Sequence, residues 1–456
     1  MRRSRLEGAC RRDAGVTHGE RMPMNIWNRE METLAGAELE ALQLSRLEET
    51  LDRVWNSSSA YRARIQEAGI NPSSIKSLED ASKLPFTRKQ DFRDSYPLGM
   101  LATPLEDVVR LHASSGTTGS RTLVGYTARD LDTWSELVAR FATAAGVVAR
   151  DVAQISFTYG LFTGGFGLHY GLEKVGATVI PASGGNTELQ LSLIKDLKTT
   201  VLVATPTYAL HIAEVGIAQG LDFEACSLRV GLFGGEPWSE GIRERIEADT
   251  GMTATDNYGL SEVVGPGVSG ECELKDGMHI AEDHFIAEVV DPASGERLPD
   301  GEQGELVLTT LTREAMPVIR FRTGDLTVLT REPCECGRRN ARMTKVLGRT
   351  DDMLIIRGVN VYPYQVERAL LEVEGIEPHF LIVLDRKGEL DLLEIWVEVS
   401  QGVFSDDTRE MRRFAQQVEA HLKGALNVKA SVSLKEHNTL ERSTGKAKRI
   451  VDKREL

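Results

Sequence analysis

Several things are missing from this chain, and each absence removes a class of function. There is no surplus of positive charge: 54 lysines and arginines stand against 68 aspartates and glutamates, a formal net charge of −14. That balance argues against nucleic-acid binding through a broad basic surface. No apolar run approaches the ~18 residues that would suggest a membrane span. Cysteine is scarce, 5 in 456 residues, which is too few for a disulfide framework and fits a reducing cytoplasm. Internal repeats and low-complexity tracts are lacking too. Residues 1–23 contain Arg2, Arg3, Arg5, Arg11, Arg12 and Arg21 but no apolar core, so no secretory leader is expected. Glu7, Asp13 and Glu20 interrupt the pattern of a transit peptide, and the segment reads as a disordered extension or as sequence ahead of a start at Met22 or Met24. No Walker A sequence occurs, and "GFGLHYG" (165–171) spaces its last glycine one residue too far for a dinucleotide fingerprint. His169 within it is expected to be a packed or helix-facing histidine.

What is present is an ordinary globular composition, 41% hydrophobic and 27% charged, and a length sufficient for two or three domains. Leu39, Leu42, Leu44, Leu47 and Leu51 recur at helical spacing within residues 36–70. Thr127, with Asp130 three residues on, predicts the start of a helix over 128–145. "ATVIPAS", "TVLVATP" and "LRVGLFGGE" are short β-rich runs, each followed by an amphipathic stretch (187–198, 207–219, 238–249). That alternation predicts βα units on a largely parallel sheet. From 284 to 330 the pattern becomes hairpin-like, with turn signals at Asp291-Pro292 and Asp300-Gly301. Beyond about 350 lies a compact α+β unit, with helices at 364–374 and 407–425 and strands in "HFLIVLDR", "LLEIWVEVS" and "KASVSLK". The expected fold is α/β: a large N-terminal domain over 24–350 with mixed and parallel sheets and a hairpin region, then a small mobile α+β domain over 351–456.

Six short stretches carry the chemistry. "SSGTTG" (114–119) sets four hydroxyls and two glycines in a row. Taken alone it is either a turn or a phosphate cradle, in which bent backbone N–H groups and hydroxyls converge on an anion. "FGGEPW" (233–238) follows an apolar run, and "TDNYGLSE" (255–262) comes some twenty residues later. "RFRTGDL" (320–326) sits among the hairpins, "GRTDDMLIIRGVNVYP" (348–363) spans the proposed boundary, and "ERSTGKAKR" (441–449) ends the chain. In this order the stretches resemble the adenylate-forming superfamily of acyl- and aryl-CoA synthetases. "YGLFTGGFG" (159–167), "YGLSEVVGPGV" (258–268) and "AEDHFIAEVVDP" (281–292) bring the resemblance nearest to the phenylacetate–CoA ligases, over roughly residues 24–456.

The resemblance implies ATP-dependent activation of an aryl-acetic acid as an acyl adenylate, then transfer to coenzyme A with release of AMP. It implies ATP- and AMP-binding roles for Ser114, Ser115, Gly116, Thr117, Thr118 and Gly119 at the β- and γ-phosphates. Gly234, Gly235, Glu236, Asp256, Asn257 and Tyr258 would bracket the adenine, Gly259 and Ser261 would also bind the nucleotide, Asp325 would take the ribose hydroxyls, and Arg349 would reach the ribose or phosphate. Glu262 would hold Mg²⁺, and Lys446 would place an ammonium at the α-phosphate. Phe157, Phe162, Gly235 and Pro266 would line the aryl-acid pocket. Asp351 would be the hinge, and Arg357, Gly358 and Val359 would face coenzyme A. The family commonly continues the phosphate loop with Lys-Pro, where this chain has Ser120-Arg121. It often has Tyr where this chain has Phe157. Cys272, His279, Cys334 and Cys336 have the ligand types of a closed structural Zn²⁺ site, though their spacing matches no common finger and unligated thiols remain the other reading. A homodimer is left open as the assembly. Two other functions also stay open: loading of a carrier-protein thiol in place of coenzyme A, and a catalytically idle ligand-binding relative.

Overall fold

The computed structural model describes residues 25–114, 122–387, 390–405, 407–442 and 449–454. Its centre is a parallel set of strands, Thr178–Ile180, Val152–Ile155, Val201–Ala204, Val230–Gly234 and Thr253–Leu260, side by side in that order. The strands Val201–Ala204 and Val230–Gly234 are apolar along their whole length because both faces are covered. Val201 and Val203 enter one hydrophobic cluster, while Leu202 and Ala204 enter another on the opposite face. That is the period of two expected of a strand buried on both sides. Helices Pro206–Ala218 and Glu240–Thr250 supply the second cluster through Tyr208, Ile212, Ile242 and Ile246.

The expected helices form close to their expected bounds. Helix Ala128–Ala144 starts at Thr127, whose hydroxyl accepts from the Asp130 N–H while the Asp130 carboxylate accepts from the Thr127 N–H. The hairpin region does not stand apart from the parallel strands. The sheet turns antiparallel at Val264–Glu271 and runs on through Met278–Ile280, Arg342–Met343, Phe321–Thr330, Gln303–Thr310 and Phe285–Val290. A helix at Gly164–Val175, within the rejected dinucleotide pattern, was not expected. It packs so closely that a Cβ on Gly167 would fall 2.4 Å from the Trp134 ring. His169 lies on it, with its Nε2 3.1 Å from Glu173.

After Asp351 a second core begins, with Leu354, Val366, Ile382, Ile395, Val418 and Leu422 among its members. It fills the space between helices Pro363–Leu371 and Thr408–Leu426 and a sheet ordered Ser431–Lys435, Leu390–Val399, Ile376–Lys387, Ile450–Asp452. The last strand, parallel to its neighbour, was not expected from the sequence. This unit seats on helices Pro206–Ala218 and Glu240–Thr250 through polar contacts. His379 Nε2 lies 2.8 Å from Glu214, the Glu367 carboxylate accepts from the Ser239 N–H at 2.8 Å, and Arg245 lies 3.5 Å from Glu377.

Candidate active site

The candidate residues gather where the parallel strands end. Phe157 lies two residues past Val152–Ile155, Gly235 and Glu236 follow Val230–Gly234, and Asn257 and Tyr258 lie in the second half of the strand Thr253–Leu260. Carboxyl ends of strands in an open α/β sheet are where ligands bind, because the adjoining loops diverge there. Gly234 pairs with Asn257 across the ladder, and the Asn257 side-chain amide donates to the Phe233 carbonyl. Gly235 has φ +85°, a conformation that favours glycine, and a Cβ there would lie 3.5 Å from the Phe157 ring.

A chain of charge-assisted hydrogen bonds crosses the site. Tyr258 Oη donates to Asp325 Oδ2 at 2.6 Å, and Arg349 Nη1 donates to Asp325 Oδ1 at 2.6 Å. Arg349 also reaches Asp351, from Nε at 2.8 Å and Nη2 at 3.2 Å. Burial, and then the Asp325 carboxylate, pushes the Tyr258 phenol well above its ordinary value, so it remains a donor. Burial opposes the Arg349 charge, but Asp325 and Asp351 more than offset that and hold the guanidinium above its usual range. Asp256 is buried beside Glu271, and burial, then Glu271, raises its carboxyl above the ordinary range.

Other candidates have structural partners. The Glu236 carboxylate accepts from the Thr207 N–H at 2.9 Å, at the start of helix Pro206–Ala218. Ser261 Oγ lies 3.4 Å from Thr163 Oγ1, which joins the 158–163 loop to the turn bearing Glu262. In the strand that leads into that turn a Cβ on Gly259 would lie 2.3 Å from the Val264 carbonyl oxygen and 2.7 Å from Pro266 Cα, so a side chain there would force the two strands apart. Pro266 is buried, and its carbonyl accepts from Trp134 Nε1 at 2.6 Å. Phe157 belongs to the main core, and Phe162 packs at its edge. Glu262 is buried, and its Oε1 has no hydrogen-bond partner among the described residues; Lys89 Nζ lies 3.6 Å away.

Ser114 precedes the rest of the "SSGTTG" stretch, and its N–H donates to the Thr122 carbonyl at 2.9 Å. Ser115, Gly116, Thr117, Thr118 and Gly119 lie outside the described residues, as does Lys446. Arg357 and Gly358, at φ +53° and +80°, form the two-residue turn between Leu354–Ile356 and Val359–Val361. Both are exposed, as is Asp351.

Away from these strand ends, Cys272, His279, Cys334 and Cys336 converge, all buried, with their ligand atoms within 4.8 Å of one another. Cys272 Sγ and Cys334 Sγ are 3.9 Å apart, and Cys336 Sγ is 3.4 Å from His279 Nε2. Four such donors at that separation suit a tetrahedral site with metal–sulfur bonds near ~2.3 Å. Hydrogen bonds from Cys272 and His279 pull the Cys336 thiol far below its ordinary range, and the same Cys336 contact pushes Cys272 up.

Sequence reasoning missed two residues at this site. Trp134 looks like a core aromatic on a helix, and Lys89 like one lysine among many. Only contacts between distant segments reveal either.

The AMP-binding enzyme family matches residues 54–311, and the AMP-binding enzyme C-terminal domain matches 358–454. A phenylacetate–coenzyme A ligase of Thermus thermophilus is 47% identical over 443 residues, covering 94% of this chain and 100% of that one. That of Aromatoleum evansii is 48% identical over 420 residues, covering 91% and 95%. Among solved structures, 2-hydroxyisobutyryl-CoA ligase in the postadenylation state with 2-HIB-AMP superposes with a TM-score of 0.89 at 30% identity, covering 97% of this chain and 95% of that one. The same ligase with 2-HIB-AMP and CoA in the thioesterification state gives 0.69 at 31% identity, covering 93% and 91%. One protein in two states gives two scores, so the difference reflects how the parts are arranged. This chain therefore belongs to the AMP-binding enzyme family, among the phenylacetate–coenzyme A ligases.

Proposed function

We propose that the chain joins an aryl-acetic acid, phenylacetate or a close relative, to coenzyme A at the expense of ATP. One carboxylate oxygen of the acid attacks the α-phosphorus, and the bond to pyrophosphate breaks. The coenzyme A thiolate then attacks the acyl carbon, and AMP leaves with the carboxylate oxygen that made the attack. The observation that best supports this is the Tyr258–Asp325–Arg349 chain at the strand ends, in a chain that matches its relatives over nearly their whole length. It gives ribose hydroxyls an ionised, rigidly held acceptor.

On this reading Asp256, Asn257 and the Gly234–Gly235 backbone bracket the adenine, and Ser114–Gly119 hold the β- and γ-phosphates. The buried, hydrogen-bond-free oxygen of Glu262 suits Mg²⁺, a hard cation that takes carboxylate and phosphate oxygens. When bound, that ion neutralises phosphate charge. Asp351 is the hinge at the 350/351 division, and a rotated C-terminal unit would bring Arg357, Gly358 and Val359 to the coenzyme A side. The cysteine–histidine cluster fits Zn²⁺ held by Cys272, His279, Cys334 and Cys336, with no open ligand position. It would tie the loop after Phe321–Thr330 to the sheet. Among the described residues no helix is long and apolar enough to cross a membrane. The cytoplasm remains the proposed location.

Phe157, Phe162, Gly235 and Pro266 would surround the ring, which fixes the distance from ring to α-phosphorus. Benzoate lacks the methylene that spans this distance. Held in the ring slot, its carboxylate falls short by roughly one bond, and ~1 Å of misplacement can cost on the order of a hundredfold. Moved forward, it leaves apolar surface unfilled, worth about 1–3 kcal/mol. Benzoate is therefore expected to have a kcat/KM at least about tenfold below that of phenylacetate. 4-Hydroxyphenylacetate should also be disfavoured, since Phe157 offers its hydroxyl no partner. Pyrophosphate release across a panel of aryl acids, with free coenzyme A or a carrier protein as acceptor, tests both the acid and the acceptor. Benzoate matching phenylacetate would refute the pocket, and turnover only with the carrier would refute coenzyme A.

A further inference from the structure

The candidate magnesium ligand already has a cation beside it. Lys89 Nζ lies 3.6 Å from the Glu262 oxygen that lacks a hydrogen-bond partner among the described residues. The Glu262 side chain is 6% exposed, whereas that of Lys89 is 45% exposed, so the ammonium sits at the mouth of the site and the carboxylate beneath it.

Lys89 is held there by what flanks it. Thr87 pairs with the strand that carries Asp325: its N–H donates to the Arg320 carbonyl at 3.1 Å, and its carbonyl accepts from the Arg322 N–H at 2.9 Å. On the other side Phe92 is buried edge-on against Phe321, ring centroids 6.0 Å apart. The backbone around Lys89 is thus anchored at both ends, while the side chain keeps its freedom. An ion pair at 3.6 Å between a half-exposed lysine and a carboxylate contributes little to stability. It is also easily exchanged for a stronger partner. The sequence supplies a reason for one, since the phosphate loop continues as Ser120-Arg121 and has no lysine.

We propose that Lys89 binds the β- and γ-phosphates of ATP, releasing Glu262 to the metal when nucleotide enters. This rests on the ATP-dependent reading above and adds a residue to it. A flexible ammonium suits this place: it is a compact point charge with three donors, able to move from one anion to another. Because it meets only the terminal phosphates, it should distinguish ATP from AMP.

The test compares Lys89→Ala, Lys89→Met and Lys89→Arg in the full chain by calorimetric titration with MgATP and, separately, with AMP, in the absence of acid. Lys89→Met keeps most of the stem and removes only the ammonium. Affinity for ATP is expected to fall about tenfold in the Ala and Met variants, the loss of one charge-assisted contact, with partial recovery in the Arg variant. Affinity for AMP and the melting temperature should stay unchanged. Equal weakening of ATP and AMP, or unchanged ATP affinity in the Met variant, would overturn the proposal and leave Lys89 a strut between the short helix Lys89–Asp94 and the turn bearing Glu262. The unaltered chain serves as the control for the reading beneath: if it binds no ATP, the ATP-dependent function itself fails, and this proposal with it.

Discussion

Lys446→Ala is expected to slow adenylation by about a hundredfold or more, the usual cost of removing a preorganised charge at a transition state. Thioester formation from preformed phenylacetyl adenylate should change far less. Negative charge crowds at the α-phosphorus when a carboxylate approaches a triphosphate, and an ammonium there is needed only in that half of the reaction. Residue 446 lies outside the described structure, but both flanks are anchored. Arg442 forms a fork with Glu398, at 2.9 Å and 2.7 Å, and Arg449 leads into the strand Ile450–Asp452. Arg442 and Arg449 both belong to the C-terminal unit, and on the proposed rotation of that unit Lys446 would serve one domain orientation only. Lys448→Ala is the control and should have little effect. Rapid-quench measurement of each half-reaction checks this; equal losses in both would remove Lys446 from its assigned role.

Cys334→Ser and Cys336→Ser are each expected to lose bound zinc and lower thermal stability together, with modest effects on turnover. The four ligand atoms come from the end of Val264–Glu271, the short strand Met278–Ile280 and the loop after Phe321–Thr330, so a bound zinc would brace two strands of one sheet and the loop that follows a third. Arg338 reinforces it, fully buried, with Nη1 3.7 Å from Cys336 Sγ and Nε 2.6 Å from Glu32. Loss of a metal brace belongs to the class of changes that destabilise by several kcal/mol. At about 2–4 °C per kcal/mol for larger domains, the melting temperature should drop by at least about 5 °C. Zinc content by elemental analysis should fall in parallel. Unaltered protein purified without chelator and found to hold no zinc would refute the site.

The parts legible in the sequence were those whose cause is local. Thr127 and Asp130 announce a helix start because the cap is made within one turn. Runs such as "VLVA" announce central strands because burial on both faces leaves no polar position. Asp325 and Arg349 could be named because their motifs keep fixed places, but the Tyr258 bond that orients Asp325 needed the fold. Lys89 and Trp134 gave no signal, since each acts on a segment far along the chain. The strand Ile450–Asp452 is too short to show a period, and its pairing with Ile382–Leu384 is set by tertiary packing. The cysteine cluster was legible as ligand types only; its convergence depended on the register that brings Met278–Ile280 beside Arg342–Met343.

The central claim is activation through an acyl adenylate, and the oxygen atoms record it. Phenylacetate labelled with ¹⁸O in both carboxylate positions, incubated with ATP, Mg²⁺, coenzyme A and the full chain, should yield phenylacetyl-CoA and AMP carrying one ¹⁸O. That oxygen is the one that attacked the α-phosphorus and stayed with the nucleotide when the thiolate displaced it. Mass spectrometry of the AMP decides the matter. Unlabelled AMP, or label in inorganic phosphate with ADP as the nucleotide product, would contradict the account.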